Sequence, residues 1–196
     1  MEIKDSGKTR EFGNGCHRDL GVGKGRTDQL PFEEVWKAYL RVKNEDVNGD
    51  TLDVLKSAFE KLCSYMKNNR GKLDFILTGD SLFDIAKDLI VAAGIDANNE
   101  THDVTSKSEQ ALFSYGVIEV SKHYEAGALK YGENNWMLGM PVHVYLDSAT
   151  RHLLKALAGM KDEPHIRASA WNILCCAWTI KNLPSYNDCT IKNKQE

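Results

Sequence analysis

The sequence predicts an all-α protein: a helical bundle with an N-terminal glycine-rich arm and a helical insertion. Three observations predict it. Apolar residues recur at i, i+3 and i+4 through most of the chain beyond residue 30. Helix-stopping residues Gly132, Gly159 and Pro184 stand where those stripes end. No convincing β-rich segment and no internal repeat is found.

Taken in order, residues 1–30 carry Gly13, Gly15, Gly21, Gly23 and Gly25 among charges and read as an extended arm. Pro31 suits a first helical turn, and Phe32, Val35, Trp36, Tyr39 and Leu40 form a helical stripe ending near Val42. After the polar break 44–50, Leu52, Leu55, Phe59, Leu62 and Met66 predict a helix over 51–67. Residues 73–77 are too short to distinguish strand from helix. Asp80 or Ser81 can cap a helix to about Ala93, with Leu82, Ile85, Leu89 and Ile90 inward, and 94–107 reads as a polar loop. Three helices follow over 108–131, 142–158 and 163–183, and 184–196 is a polar tail. The organisation expected is an arm over 1–30 and one helical domain over 31–183, with an insertion at about 41–110.

Composition excludes some functions. The chain has 196 residues, 42% hydrophobic and 27% charged, with a formal net charge of −3. General nucleic-acid and membrane-surface binders need a clustered basic excess that is missing here. No apolar run approaches the roughly 18–20 residues that span a bilayer, and Met1–Arg10 is charged, so a cytoplasmic location is expected. Five cysteines at irregular spacing, with no CxxC pair, indicate neither a disulfide framework nor a zinc-binding cysteine set. Cys175 and Cys176 sit in an apolar helical run and read as core residues.

Candidate chemistry concentrates between Glu119 and Asn172. Glu119 and Glu125 lie on neighbouring sides of one helix, as magnesium ligands or as solvated partners of Lys122 and Lys130. Gly127 and Ala128 leave room for another backbone or a ligand. In the next helix Asp147 and Arg151 are spaced for an ion pair, and His152 faces inward as a core residue or a ligand. An arginine beside it suits phosphate oxygens. The last helix opens with Asp162 and Glu163, then aligns His165, Ser169 and Asn172. Asn172 in an apolar run is an internal tie or a wall of a polar site. Lys24 and Arg26, among glycines, are a solvated loop or a flap for phosphates, and Trp136 stacks on a base or packs on its own domain.

These residues fall in a recognisable order. The stretch His123-Tyr-Glu-Ala-Gly-Ala-Leu-Lys-Tyr-Gly132, then Asn135-Trp136, Ser148-Ala-Thr-Arg-His-Leu153, Asp162-Glu163 with His165, and Ala170-Trp-Asn172 resembles the phage and prophage family dATP/dGTP diphosphohydrolase, N-terminal domain. The arm agrees through Arg10-Glu-Phe-Gly13, Gly15, Arg18-Asp19, Gly23-Lys-Gly-Arg26 and Leu30-Pro31. That family is similar to the all-α MazG-like nucleotide pyrophosphatases. The resemblance implies a homo-oligomer using Mg²⁺ or Mn²⁺ to hydrolyse dATP or dGTP to monophosphate and pyrophosphate. It implies Glu125, Asp162 and Glu163 as catalytic, metal-holding acids, with Glu119 a further metal ligand. Lys24, Arg26, Lys130 and Arg151 would hold phosphates, while His152, His165 and Asn172 line the site. Tyr131, Asn135 and Trp136 would contact the substrate, Tyr131 or Trp136 at its base.

Two departures stand out. Residues 41–110 intervene where the family runs directly onward, and Met160 stands where an acid is often found. Two other functions suit those departures: a nucleotide-binding protein without turnover, acting as a sponge or sensor of a nucleotide signal in phage counter-defence, or an interaction protein whose insertion binds a partner.

Overall fold

Among the described residues, six helices carry the apolar stripes: α1 (Phe32–Tyr39), α2 (Thr51–Asn69), α3 (Gly79–Thr101), α4 (Glu109–Tyr131), α5 (Val142–Leu157) and α6 (His165–Asn182). The computed structural model describes residues 9–11, 17–19, 25–69, 79–101 and 106–189. The segment 73–77 and Lys24 lie outside them. The expected arm holds a small antiparallel ribbon, β1 (Thr9–Glu11) with β2 (His17–Asp19), in which Arg10 pairs with Arg18. No helix among the described residues is long and apolar enough to cross a membrane.

α3 is the central element and packs against α1, α2, α4 and α6, while α5 lies on α6 and α2. Its inward residues Leu82, Ile85, Leu89 and Ile90 are fully buried, as the stripe predicts. They meet Phe113, Val120 and Tyr124 of α4 and Ile173 and Leu174 of α6 in one core cluster. Cys175 and Cys176 are buried there too, and burial pushes both thiols far above the ordinary range, so they are packing groups. A buried charge network ties α2, α3 and α4. Asp88 accepts from Ser57 Oγ at 2.9 Å and pairs with Lys61, and Lys87 bridges Asp88 and Glu109 at 2.7 Å each.

α3 does not stop near Ala93. It continues for two further turns to Thr101, through Gly94-Ile-Asp-Ala-Asn-Asn, a stretch of poor helix formers. Tertiary packing overrides that propensity. A Cβ on Gly94 would stand 2.0 Å from the Leu112 carbonyl oxygen, and one on Gly116 would stand 1.9 Å from that of Ile90. The two glycines therefore seat α3 and α4 backbone to backbone, and Ile95 is buried beside them. Asp96 and Glu119, two and three residues beyond these glycines, come to line the same cleft. α4 itself starts with Ser108 as its cap, whose hydroxyl accepts from Ala111 N at 3.3 Å. Gly127 is different: nothing lies within 4 Å of a Cβ built there, so no backbone approaches it among the described residues.

Candidate functional site

The cleft beside the glycine crossing has a volume of ≈ 610 Å³ and is walled by α2, α3, α4 and the connection from α5 to α6. Asp96 and Glu100 enter from α3, Glu119 from α4, and Asp162 and Glu163 from the connection, with Lys161, His165 and Arg167 among the other lining residues. Gly159 and Pro164 shape that connection: Gly159 takes a φ of 71°, and Pro164 immediately precedes the first residue of α6.

The electrostatics follow from this convergence. Burial pushes the Asp96 carboxyl up, and the negative charges of Glu100 and Glu119 push the same way, against Lys161 and Arg167. Glu119 is buried and takes Lys122 Nζ at 2.5 Å and Arg167 at 3.6 Å. Asp162 is held down to about 2, first by its hydrogen bond with His165 and then by Lys155.

Next to the carboxylates, two imidazoles and an acid converge. His152 Nδ1 is 3.2 Å from His165 Nδ1, and each lies 3.4 Å from Glu163 Oε1. His165 Nε2 lies 2.7 Å from Asp162 Oδ1, whose other oxygen takes Lys155 Nζ at 3.1 Å. His152 thus faces inward, as its place on the apolar side of α5 predicts.

His123 of α4 lies behind this group, its ring 5.7 Å from that of Trp171. Burial and the charges of His152 and Arg167 lower its pKa to about 4, against a smaller opposing effect of Glu163. Below the ordinary imidazole value near 6.5, the unfolded chain takes up a proton that the folded chain refuses until about pH 4. Stability therefore falls as pH drops through that window, by on the order of 3 kcal/mol in full. Urea unfolding at pH 7 and pH 4.5 is expected to show a drop that shrinks in His123→Gln; an equal drop in both proteins would contradict the assignment.

The structure divides the residues singled out from the sequence. It brings Glu119, Asp162, Glu163, His165 and, at their edge, His152 together. Glu125 does not line the cleft: it is buried and accepts from Gly25 N at 3.0 Å, tying the arm to α4. Gly25 takes a φ of 86°, and a Cβ there would stand 2.1 Å from Ser121 Oγ, so only glycine fits this docking point. Arg26 is held by Asp28 at 2.7 Å and by Glu133 at 3.1 Å, away from the cleft lining. Lys130 covers the ring of exposed Tyr131 at 4.8 Å, and Asn135 opens an exposed turn. Trp136 packs edge-on against Tyr124 and Trp178, the packing alternative left open above. Arg151 pairs with Asp147 at 2.6 Å on the outer face of α5. Asn172 is buried and donates to Ala168 O at 2.8 Å, a tie within its own helix.

Asp96, Glu100 and Arg167 were not singled out from the sequence. The i, i+4 spacing of Asp96 and Glu100 is the available signal, but it counts only once residues 94–101 are helical. Arg167 stands two residues past His165 and could have been found from that neighbour.

No curated protein and no solved structure matches the chain. Residues 97–189 match the family model described as dATP/dGTP diphosphohydrolase, N-terminal. The match takes in the end of α3, all of α4, α5 and α6 and the connection between α5 and α6, which together supply the cleft's charged residues other than Asp96. It leaves the arm, α1 and α2 outside. The similarity to the dATP/dGTP diphosphohydrolase N-terminal family thus spans residues 97–189, just under half of the 196-residue chain.

Proposed function

We propose that the protein hydrolyses dATP or dGTP to the monophosphate and pyrophosphate in a reaction that depends on Mg²⁺ or Mn²⁺. The observation that carries the reading is the meeting of five carboxylates from three parts of the chain in one ≈ 610 Å³ cleft. Such a donor set suits hard divalent cations, which take carboxylate oxygens and keep several waters. Burial pushes the Asp96 carboxyl up first, and Glu100 and Glu119 add negative charge that a bound cation would offset. When bound, the cation neutralises charge on the nucleotide's phosphates.

Within this reading Glu119, Asp162 and Glu163 hold the metal, joined by Asp96 and Glu100. Arg167 and Lys161 replace Arg151, Lys130 and Arg26 as the phosphate-holding cations, because they line the cleft and the others do not. Glu125 acts as a positioning residue for the arm through Gly25. Several copies assemble, for which the exposed Phe32, Trp36 and Leu40 on and after α1 offer an apolar face, and the protein works in the cytoplasm.

One observation favours binding without turnover. Glu119 is already compensated by Lys122 and Arg167, which lowers its need for a metal. Purified protein incubated with dATP, dGTP, ATP and GTP, with and without Mg²⁺ or Mn²⁺, separates the two. Pyrophosphate release from the purine deoxynucleotides only when metal is present is expected. Tight nucleotide binding with no product under either metal would replace the enzyme by a nucleotide sponge.

A further inference from the structure

We propose that His152, Glu163 and His165 form a site for one four-coordinate transition-metal ion of the zinc class, which shares Glu163, and Asp162 behind His165, with the carboxylate group that suits magnesium. The proposal rests on this side-chain triangle and not on the nucleotide reading.

The three facing atoms make a nearly regular triangle, with sides of 3.2, 3.4 and 3.4 Å. Tetrahedral ligands at zinc bond lengths of about 2.0–2.1 Å are separated by about 3.3–3.4 Å, whereas neighbouring octahedral ligands at that length are about 2.9 Å apart. A metal about 2.05 Å from all three atoms would stand roughly 0.7 Å off their plane, its position over one face of a tetrahedron. The triangle thus already has the spacing of a four-coordinate ion.

The surroundings orient the ligands. Asp162 Oδ1, at 2.7 Å, accepts from His165 Nε2–H, which leaves the His165 Nδ1 lone pair facing the triangle. A carboxylate behind a ligating histidine is the usual second partner of a zinc-bound imidazole. Lys155 stays on the far oxygen of Asp162, at 3.1 Å, and only 3.8 Å from Glu163 Oε1. His165 is nearly fully buried and the His152 side chain is only 14% exposed, so both rings are held in place by packing. Two nitrogens and one oxygen are a borderline donor set, better suited to zinc or cobalt than to magnesium. Glu163 and His165 also line the ≈ 610 Å³ cleft, so the triangle borders open space. Three protein ligands with one open position is the pattern of a catalytic rather than a structural zinc site.

Chelator-treated protein titrated with Co²⁺ tests the site by absorption, with no nucleotide present. One equivalent per chain, with the visible ligand-field bands of a four-coordinate ion, is expected; Zn²⁺ should displace it and a large excess of Mg²⁺ should not. Asp162→Asn should weaken binding about 10–100-fold, and His152→Ala and Glu163→Gln should weaken it further. His143→Ala, on the residue paired with Asp188 outside the cleft lining, should leave binding unchanged. Glu163 is 44% exposed, so its replacement should not disturb the fold, and the helical circular dichroism of each variant checks this. No Co²⁺ spectrum, or binding undiminished in both His152→Ala and Glu163→Gln, would overturn the proposal. Co²⁺ binding in a protein that turns over no nucleotide would leave the metal site standing while the hydrolase reading falls.

Discussion

Gly116→Ala is expected to lower stability by about 3 kcal/mol or more, at or beyond the upper end of ordinary overpacking. Helix propensity alone argues the other way, since alanine in a helix interior is favoured over glycine by about 1 kcal/mol. Packing decides the sign. The added Cβ would lie 1.9 Å from the Ile90 carbonyl oxygen, and a backbone atom of a central helix cannot rotate aside as a side chain can. α3 and α4 would have to separate, drawing Asp96 and Glu119 apart. Gly127→Ala is the matched control: with nothing within 4 Å of its new Cβ, it should gain up to about 1 kcal/mol. Urea denaturation of the two variants reads both signs in one experiment. A stable Gly116→Ala protein would mean that the helices do not meet through their glycines.

The second large effect concerns Glu119. On the proposed reading, Glu119→Gln should reduce kcat for dATP or dGTP by about 10²–10³-fold, on the order of 3–4 kcal/mol of transition-state stabilisation. Its surroundings make it a better test than Glu125. Glu119 lines the cleft among other acids, whereas Glu125 accepts from Gly25 N on the arm side of α4. Glu125→Gln should therefore act mainly by loosening the arm. Steady-state kinetics with both variants, checked for unchanged helical circular dichroism, distinguishes the roles. Full activity in Glu119→Gln would remove it from the metal-holding group.

The helices on the C-terminal side were legible because their signals are local. Gly132 and Pro184 stand just beyond the ends of α4 and α6, Gly159 soon after that of α5, and the expected ranges differ from those found by no more than two residues. The end of α3 was not legible, because residues 94–101 are mostly poor helix formers held helical by contacts with α4. That one boundary hid Asp96 and Glu100. The expectation of an intervening segment over 41–110 likewise came from comparing chain order, and order does not reveal that α3 packs against four other helices. Within the site, the inward direction of His152 followed from helical spacing. Its meeting with His165 depends on how α5 and α6 pack, which no spacing within one helix specifies. Arg26 looked like a phosphate ligand because its partner Glu133 lies 107 residues away in the chain, whereas the Asp147–Arg151 pair was legible in its i, i+4 spacing and the phosphate role of Arg151 rested on the resemblance.

The proposed reaction is hydrolysis of a purine deoxynucleoside triphosphate between its α- and β-phosphates. Turnover of dGTP in ¹⁸O-labelled water with Mg²⁺ or Mn²⁺, followed by mass spectrometry of the products, tests it most directly. Label in the phosphate of dGMP, with unlabelled pyrophosphate, is the predicted result. Label in the pyrophosphate, release of inorganic phosphate with dGDP, or no product with either metal would contradict it.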